Sequence, residues 1–260
     1  MRPTSIAEEL DLAAASLEGS PAQAILEWAF GRFEKVVLVA SFQAESSVLI
    51  DLAAKMGRPF EILTLDTGRL PQATHDLIDT VRARYEVPIR LVYPDQGEVA
   101  EMTATHGTNL FRQSVANRHL CCGIRKTQPL RRSLIGYDAW LTGLRRDQSP
   151  TRSNVPVVQA DKDKGGIAKV APLVKWSHDD VWGYIHEHGL PVNSLYNDGY
   201  TSIGCEPCTR ATTPGEDERA GRWWWEEGAV KECGINFDVS GNVIPAKHDP
   251  VLEDTALGDK

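Results

Sequence analysis

Long apolar runs and a secretion signal are missing from this 260-residue sequence. The longest strictly aliphatic run is Val36–Ala40, whereas a membrane-spanning helix needs about 20 predominantly apolar residues. Residues 1–20 lack the basic start and the apolar block of a signal peptide, and instead have the pattern of an amphipathic helix. We therefore expect a cytoplasmic protein that does not associate with membranes.

An excess of positive charge is also missing. The chain has 28 Lys and Arg residues against 36 Asp and Glu residues, a formal net charge of -8, which argues against an open nucleic-acid surface. The exception is the segment 112–152, where nine basic residues stand against only two acidic ones, Asp138 and Asp147. Such a local excess predicts an anion site, although a solvated basic helix would have the same composition.

Cysteine is scarce, and the five present are unevenly placed: Cys121, Cys122, Cys205, Cys208 and Cys233. An odd number in a chain without a secretion signal argues against a disulfide framework. The two close pairs predict a four-thiolate site for Zn²⁺ or an iron–sulfur cluster. The wide spacing between the pairs does not match a compact zinc ribbon, and adjacent cysteines reach separate iron corners more easily than one ion. We therefore favour a [4Fe–4S] cluster, with four buried, unligated cysteines as the alternative.

The isolated thiol, Cys233, is predicted to be reactive. A thiolate nucleophile needs electropositive surroundings to remain deprotonated near neutral pH. Basic residues close in sequence are candidates to provide them: Arg219, Arg222 and Lys231. Lys126 lies four positions after Cys122 and is predicted on the same helix face, where it would oppose the charge of a cluster and reach a bound anion.

Strands and helices alternate along the chain, which predicts an α/β fold with a mostly parallel sheet flanked by helices. Four strands are expected: Val36–Ala40, Phe60–Leu65, Ile89–Tyr93 and Tyr137–Gly143. Helices are expected before the first strand, after the first two strands, from Ser177 to His188, and over 215–227. The predicted domains are N-terminal helices over 1–35, an α/β domain over 36–212, a segment carrying Cys233 over 213–236, and a tail over 237–260 with the composition of a disordered end.

Three loops follow predicted strands, at the sheet edge where ligands bind. Ser41–Ser47 precedes a helix and resembles a phosphate or sulfate cradle, although a capped helix would look the same and no Walker A lysine follows. The second loop is 66–70. In the third, 143–152, the guanidinium groups of Arg145, Arg146 and Arg152 are suited to oxyanions, with an exposed basic loop as the alternative. The run Trp223–Trp225 is expected to pack in the core rather than to stack on a base.

Several of these segments together resemble the assimilatory adenylyl-sulfate (APS) reductases of the sulfonucleotide reductase family. The matching segments are 41–49, 65–68, 121–126, 143–152, 204–210, 215–227 and 231–234. The resemblance implies a fold like the adenine-nucleotide α-hydrolases and a [4Fe–4S] cluster on the four paired cysteines. It also implies that Cys233 attacks the sulfur of APS, that AMP departs, and that thioredoxin or a similar dithiol releases sulfite from the S-sulfocysteine.

The resemblance further assigns substrate-binding roles. Lys126, Arg219 and Arg222 are expected to face the phosphosulfate, and the polar loops are expected to bind the nucleotide. These loop residues are Ser41, Phe42, Gln43, Glu45, Asp66, Thr67, Gly68, Arg145, Arg146 and Arg152. The chain departs from the family where Glu-Cys-Gly-Leu-His is usual, because Ile235 and Asn236 stand in the last two places and 24 further residues follow. An amide at 236 can donate a hydrogen bond but carries no charge.

Three other functions remain open from the sequence. The same chemistry on 3′-phosphoadenylyl sulfate (PAPS) is the nearest. An ATP-using sulfur-transfer or tRNA-thiolating protein would have a similar sheet, but its usual Ser-Gly-Gly-x-Asp-Ser loop is missing here. A zinc-stabilised nucleotide sensor is the non-enzymatic alternative. The sequence also leaves open whether the chain forms a homo-oligomer.

Overall fold

Six strands form one sheet at the centre of the protein. The computed structural model describes residues 5–226, 231–232 and 234–235. The strands are β1 Val36–Val39, β2 Glu61–Leu65, β3 Ile89–Val92, β4 Ala139–Leu141, β5 Val158–Asp161 and β6 Ile167–Val170. The helices are α1 Ile6–Leu17, α2 Ala22–Arg32, α3 Ala44–Lys55, α4 Gln72–Tyr85, α5 Gln96–His106, α6 Val115–Cys122, α7 Gln128–Ser133 and α8 His178–His188.

The strand order is β3-β2-β1-β4-β6-β5, and every neighbouring pair is parallel except β5 and β6. The mostly parallel sheet expected from the sequence is therefore confirmed. The chain runs outward from β1 to β3 and then returns to place β4 on the other side of β1. In an open α/β sheet, the crevice between two such strands, at their carboxyl ends, is where ligands bind. The topology thus predicts a site between the loops that follow β1 and β4.

Alternate residues of β1 enter different apolar clusters, as the pleat of a strand requires. Leu38 belongs to the larger cluster, to which α1, α2, α3, α4 and α8 contribute buried side chains. Val37 belongs to a smaller cluster with Trp140 of β4 and with Leu130 and Leu134 around α7. The sheet is therefore covered on both faces, which is why its two central strands, β1 and β4, are wholly apolar.

Helix α3 is buried over residues 44–53, including its polar side chains. Its first turn lies against the end of β4, where a Cβ added to Gly143 would be 2.8 Å from Glu45 Cβ. The loops after β1 and β4 can approach this closely because position 143 has no side chain. This contact sets the width of the crevice between them.

The predicted elements agree with the structure to within one or two residues for β1, β2, β3 and β4, and the capping box at Ser177 is present. Pro21 takes the N-cap position of α2, with no side-chain hydrogen bond to the helix. Elements not predicted are α5, α6, α7, β5 and β6. None of the helices in the described part of the chain has the length and apolar character needed to cross a bilayer.

The helix predicted over 215–227 is wrong for the described residues 215–226, which form turns. Acidic side chains in this segment bind nearby backbone instead: Glu216 accepts from Thr213 N at 2.7 Å, and Asp217 accepts from Arg219 N at 2.8 Å. Such local hydrogen bonds compete with a helix. An isolated bridge between Thr209 and Arg222 then ties the segment to the second cysteine pair. Of the expected segment 213–236, positions 227–230, 233 and 236 lie outside the described residues, as does the tail 237–260.

Gly143→Ala is expected to destabilise the protein by about 1–3 kcal/mol, because the new methyl group would overpack the contact with α3. Gly183→Ala is the matched control: Gly183 is an exposed position within α8 with no neighbouring atom within 4 Å of an added Cβ. That control should stabilise by about 0.5–1 kcal/mol. Urea unfolding of both variants measures the difference, and equal stability of Gly143→Ala and the parent chain would contradict the close contact.

Candidate active site

A pocket lies at the switch point of the sheet, between the carboxyl ends of β1, β2 and β4. It contains about 1020 Å³ of empty space, part of it open to solvent. Its polar and charged lining comes from distant parts of the sequence: Ser41, Gln43, Glu45, Ser46, Thr64, Thr67, Lys126, Thr142, Gln148, Arg152, Arg219 and Arg222.

The loop after β1 presents Ser41, Gln43 and Glu45 to the pocket. Ser41 N donates to Ser46 Oγ at 3.1 Å, and Gln43 Oε1 accepts from Ile203 N at 2.8 Å. Phe42 does not line the pocket. It has a φ of +55° and is buried in the core beneath the loop, a left-handed conformation that is uncommon for an aromatic residue and that turns the flanking polar side chains outward.

The loop after β2 presents Thr67, while Asp66 and Gly68 shape the turn. Asp66 Oδ1 accepts from Gly68 N at 2.9 Å, its other oxygen lies 3.0 Å from His75 Nε2, and Gly68 has a φ of +69°. Arg125 Nη1 donates to Thr67 O at 2.7 Å. The turn is therefore stabilised by a hydrogen bond within it, to Asp66, and by a hydrogen bond from Arg125, which follows the first cysteine pair in sequence.

The three arginines of the loop after β4 have different partners. Arg145 is 1% exposed and pairs with Glu45 at 2.9 Å and with Glu218 at 3.1 Å. Arg146 points toward α1 and pairs with Glu18 at 2.5 Å. Arg152 alone of the three lines the pocket. The sequence treated these residues as one oxyanion-binding group, whereas Arg145 and Arg146 form ion pairs and do not line the pocket.

Arg222 lies across the backbone of Gly204, where an added Cβ would be 2.2 Å from its Nη2 atom. Its Nη1 atom is 3.4 Å from both Ser202 Oγ and Ile203 O, and its buried Nε has no hydrogen-bond partner among the described residues. A buried guanidinium with an orphaned donor, facing a polar pocket, is suited to an anionic ligand.

The four paired cysteines are brought together around a second, smaller cavity. The other residues that line it are Arg69, Phe111, Arg125, Lys126 and Trp223. All four thiols are buried and free of disulfides. Within the described residues, no group of three or more His, Cys, Asp and Glu side chains is arranged to hold a metal ion.

Ionisation of these thiols is governed by burial and by neighbouring cations. Burial opposes ionisation of Cys205, but Lys126, a hydrogen bond with Thr67 and Arg222 outweigh it and hold the pKa of Cys205 below its ordinary value. Burial, reinforced by the charge of Cys205, raises the pKa of Cys208 to about 11. Burial likewise raises the pKa of Cys121. The cavity therefore favours the thiolate, the form that binds metals, at Cys205 and opposes it at Cys121 and Cys208.

Lys126 lines both cavities. It is carried on a π-helical turn, Gly123–Thr127, that continues directly from α6. Such a wide turn rotates the side chains that follow it, and π-helical turns are frequent at functional sites. Cys122 and Lys126 thus share the thiol cavity, and Lys126 also reaches the pocket.

Cys233 lies outside the described residues, but its neighbours in sequence do not. Ile235 lines the pocket, and its carbonyl accepts from Lys164 Nζ at 3.3 Å. On the other side, Lys231 O accepts from Arg219 Nη2 at 2.6 Å. Glu232 is buried and pairs with Arg152 at 2.8 Å. The chain before and after position 233 is thus bound to residues of the pocket or beside it.

Several site residues were missed by sequence reasoning. Gln148 lies between the arginines in sequence and belongs to no motif, although its amide donates to Glu45 at 2.9 Å. Gly204, next to Cys205, carried a signal because glycine beside a functional residue often permits close approach. Glu232 is adjacent to Cys233 in sequence, but no binding or catalytic role was predicted for it. The Trp run packs as expected in part: Trp223 is buried beside the thiols, whereas Trp224 is 37% exposed.

The mostly parallel six-stranded sheet flanked by helices is an α/β fold like that of the adenine-nucleotide α-hydrolases. Yeast FAD synthetase has the same fold, with a TM-score of 0.52 at 14% identity over 81% of this chain and 70% of that one. Residues 35–211 match the phosphoadenosine phosphosulfate reductase domain family, and the chain belongs to that family.

Members of the family resemble this chain over most of their length. An adenosine 5′-phosphosulfate reductase from Allochromatium vinosum is 43% identical over 220 residues, covering 85% of each chain. The crystal structure of the phosphoadenylyl-sulfate (PAPS) reductase from Candida auris, a phosphate complex, has a TM-score of 0.67 at 28% identity. That match covers 80% of this chain and 98% of the other.

Gly204→Ala is expected to displace the Arg222 guanidinium at little cost in stability, because the end of an arginine side chain can move aside. Binding of an anionic nucleotide, tested with AMP by calorimetry, should weaken about tenfold, the equivalent of one charged hydrogen bond. Gly183→Ala should leave AMP affinity unchanged. Unaltered affinity in Gly204→Ala would show that Arg222 does not bind the ligand.

Proposed function

We propose that the chain reduces adenylyl sulfate to sulfite and AMP, as an oxidoreductase of sulfate assimilation. The observation that carries the proposal is the set of four cations on one pocket, next to a cavity of four thiols: Lys126, Arg152, Arg219 and Arg222. A nucleotide that ends in a phosphosulfate is a polyanion, and attack on it by a thiolate gains several kcal/mol from preorganised positive charge. The names of the similar reductases agree with this substrate class.

In the proposed reaction, the Cys233 thiolate attacks the sulfur of the sulfate group, and the bond from that sulfur to the bridging oxygen breaks. AMP leaves with the electron pair of that bond, and Cys233 carries an S-sulfonate. A dithiol of the thioredoxin type then attacks the Cys233 sulfur and releases sulfite with its electron pair. The second thiol of that partner regenerates Cys233 and closes a disulfide, so that the dithiol supplies both electrons.

The four paired cysteines are the residues that would hold a [4Fe–4S] cluster. Two observations support this donor set: the thiols share one cavity, and three cations, Arg69, Arg125 and Lys126, line the same space. When bound, the cluster supplies thiolate-ligated iron and a net negative charge. Lys126 would then face that charge on one side and the substrate anion on the other.

Adenylyl sulfate is proposed over PAPS because the chain is 43% identical to a reductase named for it and 28% identical to the PAPS reductase. We expect turnover with thioredoxin to be faster on adenylyl sulfate than on PAPS at equal concentrations. Sulfite release measures both reactions in the same assay. A preference for PAPS would overturn the substrate assignment and leave the reaction type intact.

The free thiols also suit the reducing cytoplasm expected from the sequence.

Incubation with labelled adenylyl sulfate in the absence of a dithiol should add one sulfonate group to the chain. The adduct should be lost in Cys233→Ser and should disappear when reduced thioredoxin is added. Intact-mass measurement reads both outcomes. Retention of the adduct in Cys233→Ser would falsify the assignment of the nucleophile.

Protein purified without oxygen is expected to contain about four irons and four sulfides per chain, as a single [4Fe–4S] cluster requires. Cys208→Ser should lower the iron content, while Cys233→Ser should leave it unchanged, since only the first is a proposed ligand. Colourless protein with one zinc per chain would contradict the cluster and support the nucleotide sensor instead.

A further inference from the structure

The side chain of Glu232 is buried, and three side chains of the described residues donate hydrogen bonds to its carboxylate. It is 5% exposed, and it accepts from Arg152 Nε at 2.9 Å and Arg152 Nη2 at 2.8 Å in a two-pronged pair. Thr151 Oγ1 at 3.2 Å and Arg219 Nη2 at 3.4 Å complete its surroundings. Although burial opposes ionisation, Arg219 and Arg152 hold the pKa of Glu232 at about 2.

The backbone of the same short segment is bound as well. Arg118 Nη1 donates to Glu232 O at 2.5 Å, and Arg118 is itself fully buried against Glu226. Beyond position 233, Lys164 binds the carbonyl of Ile235. The arginine loop and a buried arginine of α6 therefore fix the residue that immediately precedes the proposed nucleophile.

We infer that Glu232 is a positioning residue: its carboxylate, bound by Arg152, holds the Cys233 segment at the pocket. This rests on the proposed function only in naming Cys233 as the nucleophile. Arg152 then donates its hydrogen bonds to the chain's own carboxylate and acts on the substrate only through its charge across the pocket. Direct contacts with the substrate's oxyanions are assigned to Lys126 and Arg222, whose side chains also line the pocket.

The geometry of the Arg152–Glu232 pair favours a role for Arg152 in positioning the chain. A guanidinium that makes two parallel hydrogen bonds to one carboxylate fixes both the distance and the plane of its partner. A nucleophile must be placed to within a fraction of an ångström, and a misplacement of about 1 Å costs about 100-fold in rate. Glu232 is adjacent to Cys233 in sequence, so a change in its anchoring is transmitted through one peptide unit.

The first arm of the test does not depend on catalysis. Iodoacetamide is added to the iron-loaded protein, and the rate of Cys233 alkylation is followed by peptide mass spectrometry. We expect Glu232→Gln and Arg152→Gln each to change this rate about tenfold or more. Glu216→Gln is the matched control, because Glu216 forms a two-pronged pair with Arg210 on the surface at 2.9 and 2.7 Å. It should react like the parent chain.

The second arm measures adduct formation from adenylyl sulfate in a single turnover. Glu232→Gln and Arg152→Gln should each lower the maximal rate about 100-fold, with the concentration for half-maximal rate changed less than about threefold. The double variant should be no slower than either single variant, because each single substitution removes the same Arg152–Glu232 interaction. Glu232→Asp, which keeps the charge, should recover part of the rate and serves if Glu232→Gln fails to fold.

Two results would overturn the inference. One is parent-like alkylation and parent-like maximal rate in Glu232→Gln. The other is an Arg152→Gln variant that loses substrate affinity with its alkylation unchanged, which would make Arg152 a substrate ligand. If the parent chain forms no adduct at all while the alkylation rates still differ, the proposed function fails and the anchoring role of Glu232 stands.

Discussion

Pairing of buried guanidinium groups with carboxylates is the constraint on which the site depends. Arginine has no accessible neutral form, so an acid with matching geometry is the partner that best stabilises a buried copy. Three such pairs connect distant parts of the chain: Arg118 with Glu226, Arg145 with Glu45, and Arg152 with Glu232. Removing one partner of a buried pair lowers the free energy of unfolding by about 3–5 kcal/mol, because the other charge stays buried without compensation. These pairs therefore attach the C-terminal segment and the first turn of α3 to the walls of the pocket.

This constraint changes how the basic segment 112–152 is understood. Within the described residues, five of its nine cations pair with acids outside the segment: Glu226, Glu98, Glu45, Glu18 and Glu232. The excess of positive charge is local in sequence but largely neutralised in space. Lys126 and Arg152 are the cations of the segment that line the pocket. A charge count along the chain thus indicated a segment that borders the pocket, but it could not separate cations in structural ion pairs from those that face the pocket.

The strands around the pocket could be predicted because their signals are local: short apolar runs bounded by polar loops. The same holds for the cysteine pairs, whose residue types restrict the chemistry regardless of fold. Residues 215–226 were missed because their conformation depends on contacts with Arg210 and on local side-chain hydrogen bonds, neither of which has a periodic pattern. The division among Arg145, Arg146 and Arg152 depends on acids up to 128 residues away, which no window of sequence contains.

The two cavities and the C-terminal segment are linked through few side chains. Lys126 borders both cavities, and Arg219 lines the pocket while it binds the carbonyl of Lys231. A charge placed in the thiol cavity therefore interacts with two cations of the pocket, Lys126 and Arg222, at short range and low dielectric. An anion in the pocket, in turn, competes for the cations that hold the residues on either side of position 233. In the proposed reaction, anion binding and the anchoring of the segment around position 233 are therefore coupled through Arg152 and Arg219.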